Sequence, residues 1–397
     1  MADPDDSALD AFRAQTRDWL EANFPKSLAN VLFSPIASSD KPSGDVLLWR
    51  QRMADKGWGT PTWPTEYGGG GLSGDEARVL QQEMARIGAA NPLISLGAMM
   101  LGPTLLEYGT PSQKQRHLPP ISRGELQWCQ GYSEPGAGSD LASLQTKCVD
   151  AGDHWLINGS KIWTSGAHHA DWCFCLVRTD TSKKHGGISF VLVPMRQAGV
   201  EARPIKMIAG NSHFCQVFLT DARADKDDMV GPLNGGWTVG KRLLQYERSG
   251  HGGARMMVGA DVVELAKKYI GVDAEGRIAD PDLRTRIIRH VMDARAHMLT
   301  MQRVQAEATG NPNPSAATSV TKNSGTWIGQ EKAELALEIL GNRGLGWEGD
   351  EFTEQELEAV RIWLSGRATT IFGGSQEVQS NIVSKQILGL PDATKNR

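Results

Sequence analysis

The chain has 397 residues, 40% of them hydrophobic and 22% charged, with a formal net charge of -4. This is the composition of a soluble globular protein of roughly two or three domains, and without a long basic run nucleic acid is not the expected partner. No stretch approaches the ~20 apolar residues of a membrane span, the acidic start Met1-Ala-Asp-Pro-Asp-Asp lacks a secretory apolar region, and five cysteines without zinc spacing point to a reducing, cytoplasmic setting.

Residues 1–125 read as an N-terminal α-helical domain. Leu9, Phe12, Trp19 and Leu20 form one stripe at helical spacing. Ser73-Gly-Asp-Glu76 is a capping box ahead of Val79, Leu80 and Met84. Thr110-Pro111-Ser-Gln113 places an N-cap, then a proline at the first helical position and a glutamine at the third. From 126 to 228 short apolar runs alternate with turn residues, the pattern of a central β-domain. The run 154–157 before Asn158-Gly159 reads as a hairpin strand, followed by runs at 172–177, 187–193 and 214–219. Alternation puts Cys173 and Cys175 on one strand face, as a buried reduced pair. In the C-terminal domain, 229–397, helical periodicity returns in four segments, 236–271, 281–310, 316–341 and 353–388. The fold class is α+β: helices, a sheet, then a C-terminal four-helix bundle.

Two blocks carry the chemistry. The first is Trp128-Cys129-Gln130-Gly131-Tyr132-Ser133-Glu134-Pro135-Gly136-Ala137-Gly138-Ser139-Asp140; the second is Asn158-Gly159-Ser160-Lys161-Ile162-Trp163-Thr164-Ser165-Gly166. Gly136 to Ser139 offers free N–H groups and a hydroxyl for phosphate oxygens. Trp163 offers a flat indole for a planar ring system. Either alone is a glycine turn or a core tryptophan; together, bordering the β-domain, they suit a flavin dinucleotide. The glycine run 68–71 is not followed by Lys-Ser/Thr, which excludes a nucleoside triphosphate loop. His168-His169 has no further ligand cluster, and adjacent side chains should point apart, so a loop or edge role is expected and no metal site.

In these blocks, in Tyr67-Gly-Gly-Gly-Gly-Leu-Ser73, in Gly187-Ile-Ser-Phe-Val-Leu-Val-Pro194 and in Val230-Gly-Pro-Leu-Asn-Gly-Gly-Trp237, the chain resembles the acyl-CoA dehydrogenases. The resemblance covers nearly the whole chain. It implies the fold of that family, FAD as cofactor and an acyl-CoA substrate. It also implies loss of an α-proton and transfer of a β-hydride to flavin N5, giving a trans-2-enoyl-CoA, with electrons passing to an electron-transferring flavoprotein. It places Gln130, Tyr132 and Ser133 at the flavin ring edge, and Gly138 and Ser139 by the pyrophosphate, with Ser139 also toward substrate. Trp163, Thr164 and Ser165 fall at the isoalloxazine, and Ser375 joins the cofactor contacts.

The family's usual glutamate position reads Ile371-Phe372-Gly373-Gly374-Ser375-Gln376, with glycine in place of the carboxylate. Gly373 keeps only a backbone N–H, which by resemblance holds the thioester oxygen. Some relatives carry the base on an earlier helix, in a Glu-Arg pair. Here Leu243-Leu-Gln-Tyr246-Glu247-Arg248 matches it, so Glu247 is the expected base and Arg248 the residue that positions it and the substrate. Glu377, at the start of the final helix, suits a structural role with a low pKa. Two elements that in homotetrameric members support the neighbour's FAD are altered. Asp273 follows Tyr269 where an arginine is usual, and a Gln-x-x-Gly-Gly-Asn-Gly motif reads Glu338-Ile-Leu-Gly341-Asn342-Arg343-Gly344. An aspartate facing a pyrophosphate would repel it. These losses imply a heterotetramer with a related acyl-CoA dehydrogenase subunit, and the bare Gly373 suits bulky or branched acyl groups, steroid side chains included. The alternatives are a non-catalytic partner subunit, or a flavin oxidase or monooxygenase on the same fold.

Overall fold

The computed structural model describes residues 4–251, 259–308 and 317–391. They form two compact units: residues 1–205 with 213–246, and residues 206–212 with 247–397.

The first unit begins with helices α1 (Pro4–Asn23), α2 (Gly44–Asp55) and α3 (Gly74–Arg86). A π-helical turn, Gly97–Leu101, leads into α4 (Gly102–Tyr108), and α5 (Pro111–Ser122) follows. Both capping boxes form: Ser73 with Glu76 opens α3 and Thr110 with Gln113 opens α5. Such a cap is worth about 1 kcal/mol. Gln113 also donates to the Asp227 and Met229 carbonyls at 2.7 and 2.8 Å, which ties α5 to the end of the sheet.

The sheet has eight strands: β1 (Trp128–Gly131), β2 (Lys147–Asp150), β3 (His154–Ser165), β4 (Trp172–Arg178), β5 (Ile188–Pro194), β6 (Val200–Ile205), β7 (Phe214–Asp225) and β8 (Met229–Val230). Their order is β6-β7-β3-β2-β4-β5-β8, and β1 pairs in parallel with β4. Strand alternation sorts the side chains onto the two faces. Trp128, Tyr132, Phe174 and Leu176 join Trp63, Met100 and Leu118 in one core, so the N-terminal helices cover this face. Cys129, Cys173, Cys175 and Val177 join Ile157 and Cys215 in the other. Cys173 and Cys175 thus share a face, buried and free, as the alternation predicts, and the other three cysteines are buried and free as well.

The hairpin expected at Asn158-Gly159 is a correction. Both residues lie inside β3, at a register shift against β7. The β2–β3 turn sits earlier, at 151–153, where Gly152 has φ +94°. Asn158 instead reaches across to β7, exchanging hydrogen bonds with Asp221 at 3.0 and 2.9 Å. A Cβ on Gly159 would lie 2.6 Å from Thr146 Oγ1, so the glycine permits close approach of Thr146, while the extra residue of the register shift lies on β7.

Two of the four C-terminal segments are broken. The first divides into α6 (Gly236–His251) and α7 (Val262–Tyr269), the latter opened by an Asp261 N-cap that accepts from Val263 N–H at 2.8 Å. Helices α8 (Pro281–Ala308) and α9 (Ala317–Leu340) follow the expected spans. The last segment divides into α10 (Glu354–Gly366) and α11 (Gln376–Ile382). Consecutive left-handed glycines cause that break, Gly373 at φ +66° and Gly374 at +90°.

Candidate functional site

In the first block, β1 leaves the sheet into a tight turn. Glu134 and Ala137 exchange backbone hydrogen bonds at 3.0 Å, and Gly136 and Gly138 have open space where a Cβ would be. Gly138 and Ser139 are exposed, Gln130 and Ser133 half-buried, and Tyr132 buried.

In the second block, β3 bulges between Lys161 and Thr164. Trp163 sits in that bulge at φ +61°, with 52% of its surface exposed. A bulky left-handed residue on a strand is strained by about 1–3 kcal/mol, and such strain gathers at functional sites. Phe214 meets the Trp163 ring edge-on at 6.2 Å, and the exposed indole can carry a planar ring. Ser165 is half-buried. Thr164 is fully buried, and its hydroxyl has no partner among the described residues. The open glycine turn, the Ser139 hydroxyl and the exposed Trp163 indole fit a flavin dinucleotide.

The blocks are pinned together from beneath, which sequence reasoning missed. Lys161, 1% exposed, donates to Glu134 Oε1 at 2.8 Å, to the Leu176 carbonyl at 2.7 Å and to the Tyr132 carbonyl at 3.2 Å. Glu134 also accepts from the Gln145 and Thr146 N–H groups at 2.6 and 2.9 Å. Burial pushes the Glu134 carboxyl up, but the Lys161 ammonium and these hydrogen bonds outweigh it and hold it below the ordinary range. One signal in the sequence pointed here: the inward positions Trp155 and Ile157 extrapolate by twos to Lys161, and an inward lysine demands acceptors.

Helix α6 is fastened to α4 just before Glu247. Arg242 pairs with Glu107 at 2.7 Å, the Tyr246 hydroxyl donates to Glu107 at 2.9 Å, and the guanidinium lies 4.7 Å from the Tyr246 ring centre. Burial pushes the Glu107 carboxyl up, and hydrogen bonds from Arg242 and Tyr246 more than reverse it. Glu247, the next residue, is half-buried. The Arg248 side chain lies outside the described residues.

In the second unit, Gly373 is exposed and nothing lies within 4 Å of where its Cβ would be. Its carbonyl accepts from Gln379 Nε2 at 3.1 Å. The Ser375 hydroxyl caps α11 by accepting from Val378 N–H at 3.4 Å. Glu377 is exposed, and its own backbone N–H and then the Ser375 hydroxyl hold its carboxyl below the ordinary range, a helix-start role as expected.

Asp273 turns onto its own loop. It pairs with Arg277 at 2.8 Å and Arg284 at 3.5 Å, and accepts from the Arg277 N–H. Glu338 pairs with Arg286 at 2.5 Å, and Arg343 with the buried Glu356 at 3.2 Å. The histidine pair is a second correction. His168 and His169 do not point apart; their rings are tilted with centres 3.8 Å apart, and His168 Nδ1 lies 3.0 Å from Cys215 Sγ. Among the described residues no His, Cys, Asp or Glu cluster could hold a metal.

Three family descriptions match the chain: the acyl-CoA dehydrogenase N-terminal domain at residues 7–125, the middle domain at 129–222 and the C-terminal domain at 234–388. Acyl-CoA dehydrogenase IpdE1 of Mycobacterium tuberculosis is 39% identical over 400 residues, covering 98% of this chain and 99% of its own. Human mitochondrial short-chain specific acyl-CoA dehydrogenase is 26% identical over 82% of this chain and 78% of its own. The solved Tcur3481–Tcur3483 steroid ACAD is similar with TM-score 0.78 and 31% identity, covering 98% of each chain. The ChsE4–ChsE5 complex from Mycobacterium tuberculosis is similar with TM-score 0.75 and 29% identity, covering 99% of each.

Proposed function

The chain belongs to the acyl-CoA dehydrogenase family, and from that premise we propose that it oxidises a bulky or branched acyl-CoA with Glu247 as its base. Members are FAD-dependent oxidoreductases acting on the CH–CH bond of an acyl-CoA. When bound, FAD supplies the acceptor for the β-hydride. Gly136 to Ser139 would hold its phosphates, and Trp163 and Ser165 its ring system. The Glu247 carboxylate takes the α-proton, and the anchoring of α6 through Glu107, Arg242 and Tyr246 fixes the backbone that presents it. The Gly373 N–H donates to the thioester oxygen and stabilises the charge that develops there.

The observation that carries this reading is the contrast between positions 373 and 247. The usual site is bare and has open space around it, whereas Glu247 sits half-buried on an anchored helix. Space at Gly373 suits a substituted acyl chain. A solved relative is named as a steroid ACAD, which supports a steroid side chain as the acyl class. Electrons would leave through an electron-transferring flavoprotein. Free, buried cysteines suit a reducing cytoplasm, and no helix among the described residues is long and apolar enough to cross a membrane.

Purified in its native assembly, the protein should be yellow and hold FAD noncovalently. Anaerobic mixing with a panel of acyl-CoAs should bleach the flavin fastest with branched or steroid-derived thioesters. A colourless preparation after gentle purification with its partner would sink the cofactor reading. Bleaching by short linear thioesters alone would sink the substrate reading, and rapid reoxidation by O₂ would favour an oxidase.

A further inference from the structure

Lys161 takes no part in the proton and hydride steps, yet it is among the most deeply buried side chains in the protein. We infer that the Lys161–Glu134 ion pair is the positioning device of the flavin site, setting the spacing of the two blocks and holding the bulge that presents Trp163. This rests on the assignment of those blocks to FAD.

All three ammonium protons are used, two on the first block and one on β4. One reaches the Tyr132 carbonyl within the first block, one the Glu134 carboxylate at its turn, and one the Leu176 carbonyl on β4. Glu134 in turn fixes the segment after the block through the Gln145 and Thr146 N–H groups. The Ile162 N–H donates to the Ser133 carbonyl at 2.9 Å, a second tie directly beside the first. The register of β3 against β7 shifts immediately after Lys161 and resumes at Thr164, opposite Cys215. Trp163 therefore stands between two fixed points. A left-handed tryptophan persists only where its surroundings over-determine it, and the lysine supplies one side of that constraint. An apolar pair of similar volume could fill the slot, but it could hold neither the two carbonyls nor the two N–H groups.

The test compares FAD affinity with stability in the full protein and its partner. Lys161→Met strands a buried carboxylate and should weaken FAD binding by about 100-fold or more while lowering Tm. The double variant Lys161→Met/Glu134→Leu should recover most of the Tm, because buried ion pairs are often replaceable by apolar residues. It should still bind FAD about 10-fold or more weakly, with a diminished visible circular dichroism of the flavin, because the blocks are no longer registered. Glu134→Gln keeps an acceptor and the slot's shape; it should fold and show an intermediate loss, so the test survives if Lys161→Met does not fold. A double variant with wild-type FAD affinity and flavin dichroism would show the pair to be structural only. A wild-type protein that binds no FAD would instead overturn the assignment of the blocks, and the inference with it.

Discussion

Glu247→Gln should slow flavin reduction by about 10²–10⁴-fold while FAD stays bound. Glutamine keeps the shape and hydrogen-bonding reach of the side chain and loses only the ability to take a proton. The helix that presents it should not move, because its anchor is the Glu107–Arg242–Tyr246 cluster, one residue or more away from the change. Glu377→Gln is the control. That carboxylate is exposed and engaged with its own N–H and the Ser375 hydroxyl, so its loss should cost little rate. Rapid-mixing anaerobic spectra decide between them: a large effect at Glu377 with none at Glu247 would overturn the assignment. A second arm reinstates the usual carboxylate. Gly373→Glu meets open space, but at φ +66° a side chain is strained by about 1–2 kcal/mol. In the Glu247→Gln background it should partly restore turnover of short linear acyl-CoAs and not of bulky ones, because the new side chain occupies the room they use. Equal rescue of both would refute the space argument.

Expressed alone, the chain should hold little FAD; expressed with a related acyl-CoA dehydrogenase subunit, it should form a heterotetramer, two of each, with one FAD per unlike pair. The positions that the family resemblance assigns to supporting a neighbour's FAD are already engaged within this chain. Asp273 is held by Arg277 and Arg284, Glu338 by Arg286, and Arg343 by Glu356. Each charge-assisted hydrogen bond missing from the adenosine diphosphate half is worth ~1.5–3 kcal/mol, and two of them amount to roughly 10²–10⁴ in affinity. A partner that carries an arginine there restores them, and closed symmetry makes the number of chains even. An uncovered apolar stripe on α8, Ile288, Val291, Met292 and Leu299, offers surface for assembly. Native mass and flavin stoichiometry test this directly. A stable, active homotetramer with one FAD per chain would rule it out.

What the sequence showed and what it hid divide by range. The capping boxes, the shared face of Cys173 and Cys175 and the helix–sheet–helix order are written in neighbouring residues. The bonds that set up the site join distant ones: Lys161 meets Glu134 across 27 positions, and Arg242 meets Glu107 across 135. Asp273 looked like a repulsive charge although one partner, Arg277, lies four residues on; only its second, Arg284, is brought to it by the turn between α7 and α8. Asn158-Gly159 has turn chemistry, but pairing along both edges of β3 overrides it and keeps both residues in the strand. The break at Gly373-Gly374 is masked because apolar spacing runs on through both helices, and a period says nothing about the sign of φ.

The buried cysteines give the protein a built-in gauge. All five lie between Cys129 and Cys215, and none lies in the second unit. Burial pushes the Cys148 thiol up to about 12; a hydrogen bond with Cys129 raises that of Cys173 and one with Cys173 raises that of Cys175, burial adding to both. Buried, all five are dormant nucleophiles, silent to alkylating reagents while the sheet is closed. The rate at which they capture such a reagent therefore clocks sheet opening alone, blind to fraying of the C-terminal helices. A ligand that binds only the closed sheet slows that clock by mass action, so cofactor occupancy becomes legible in sulfur chemistry, with no need for the colour of the flavin.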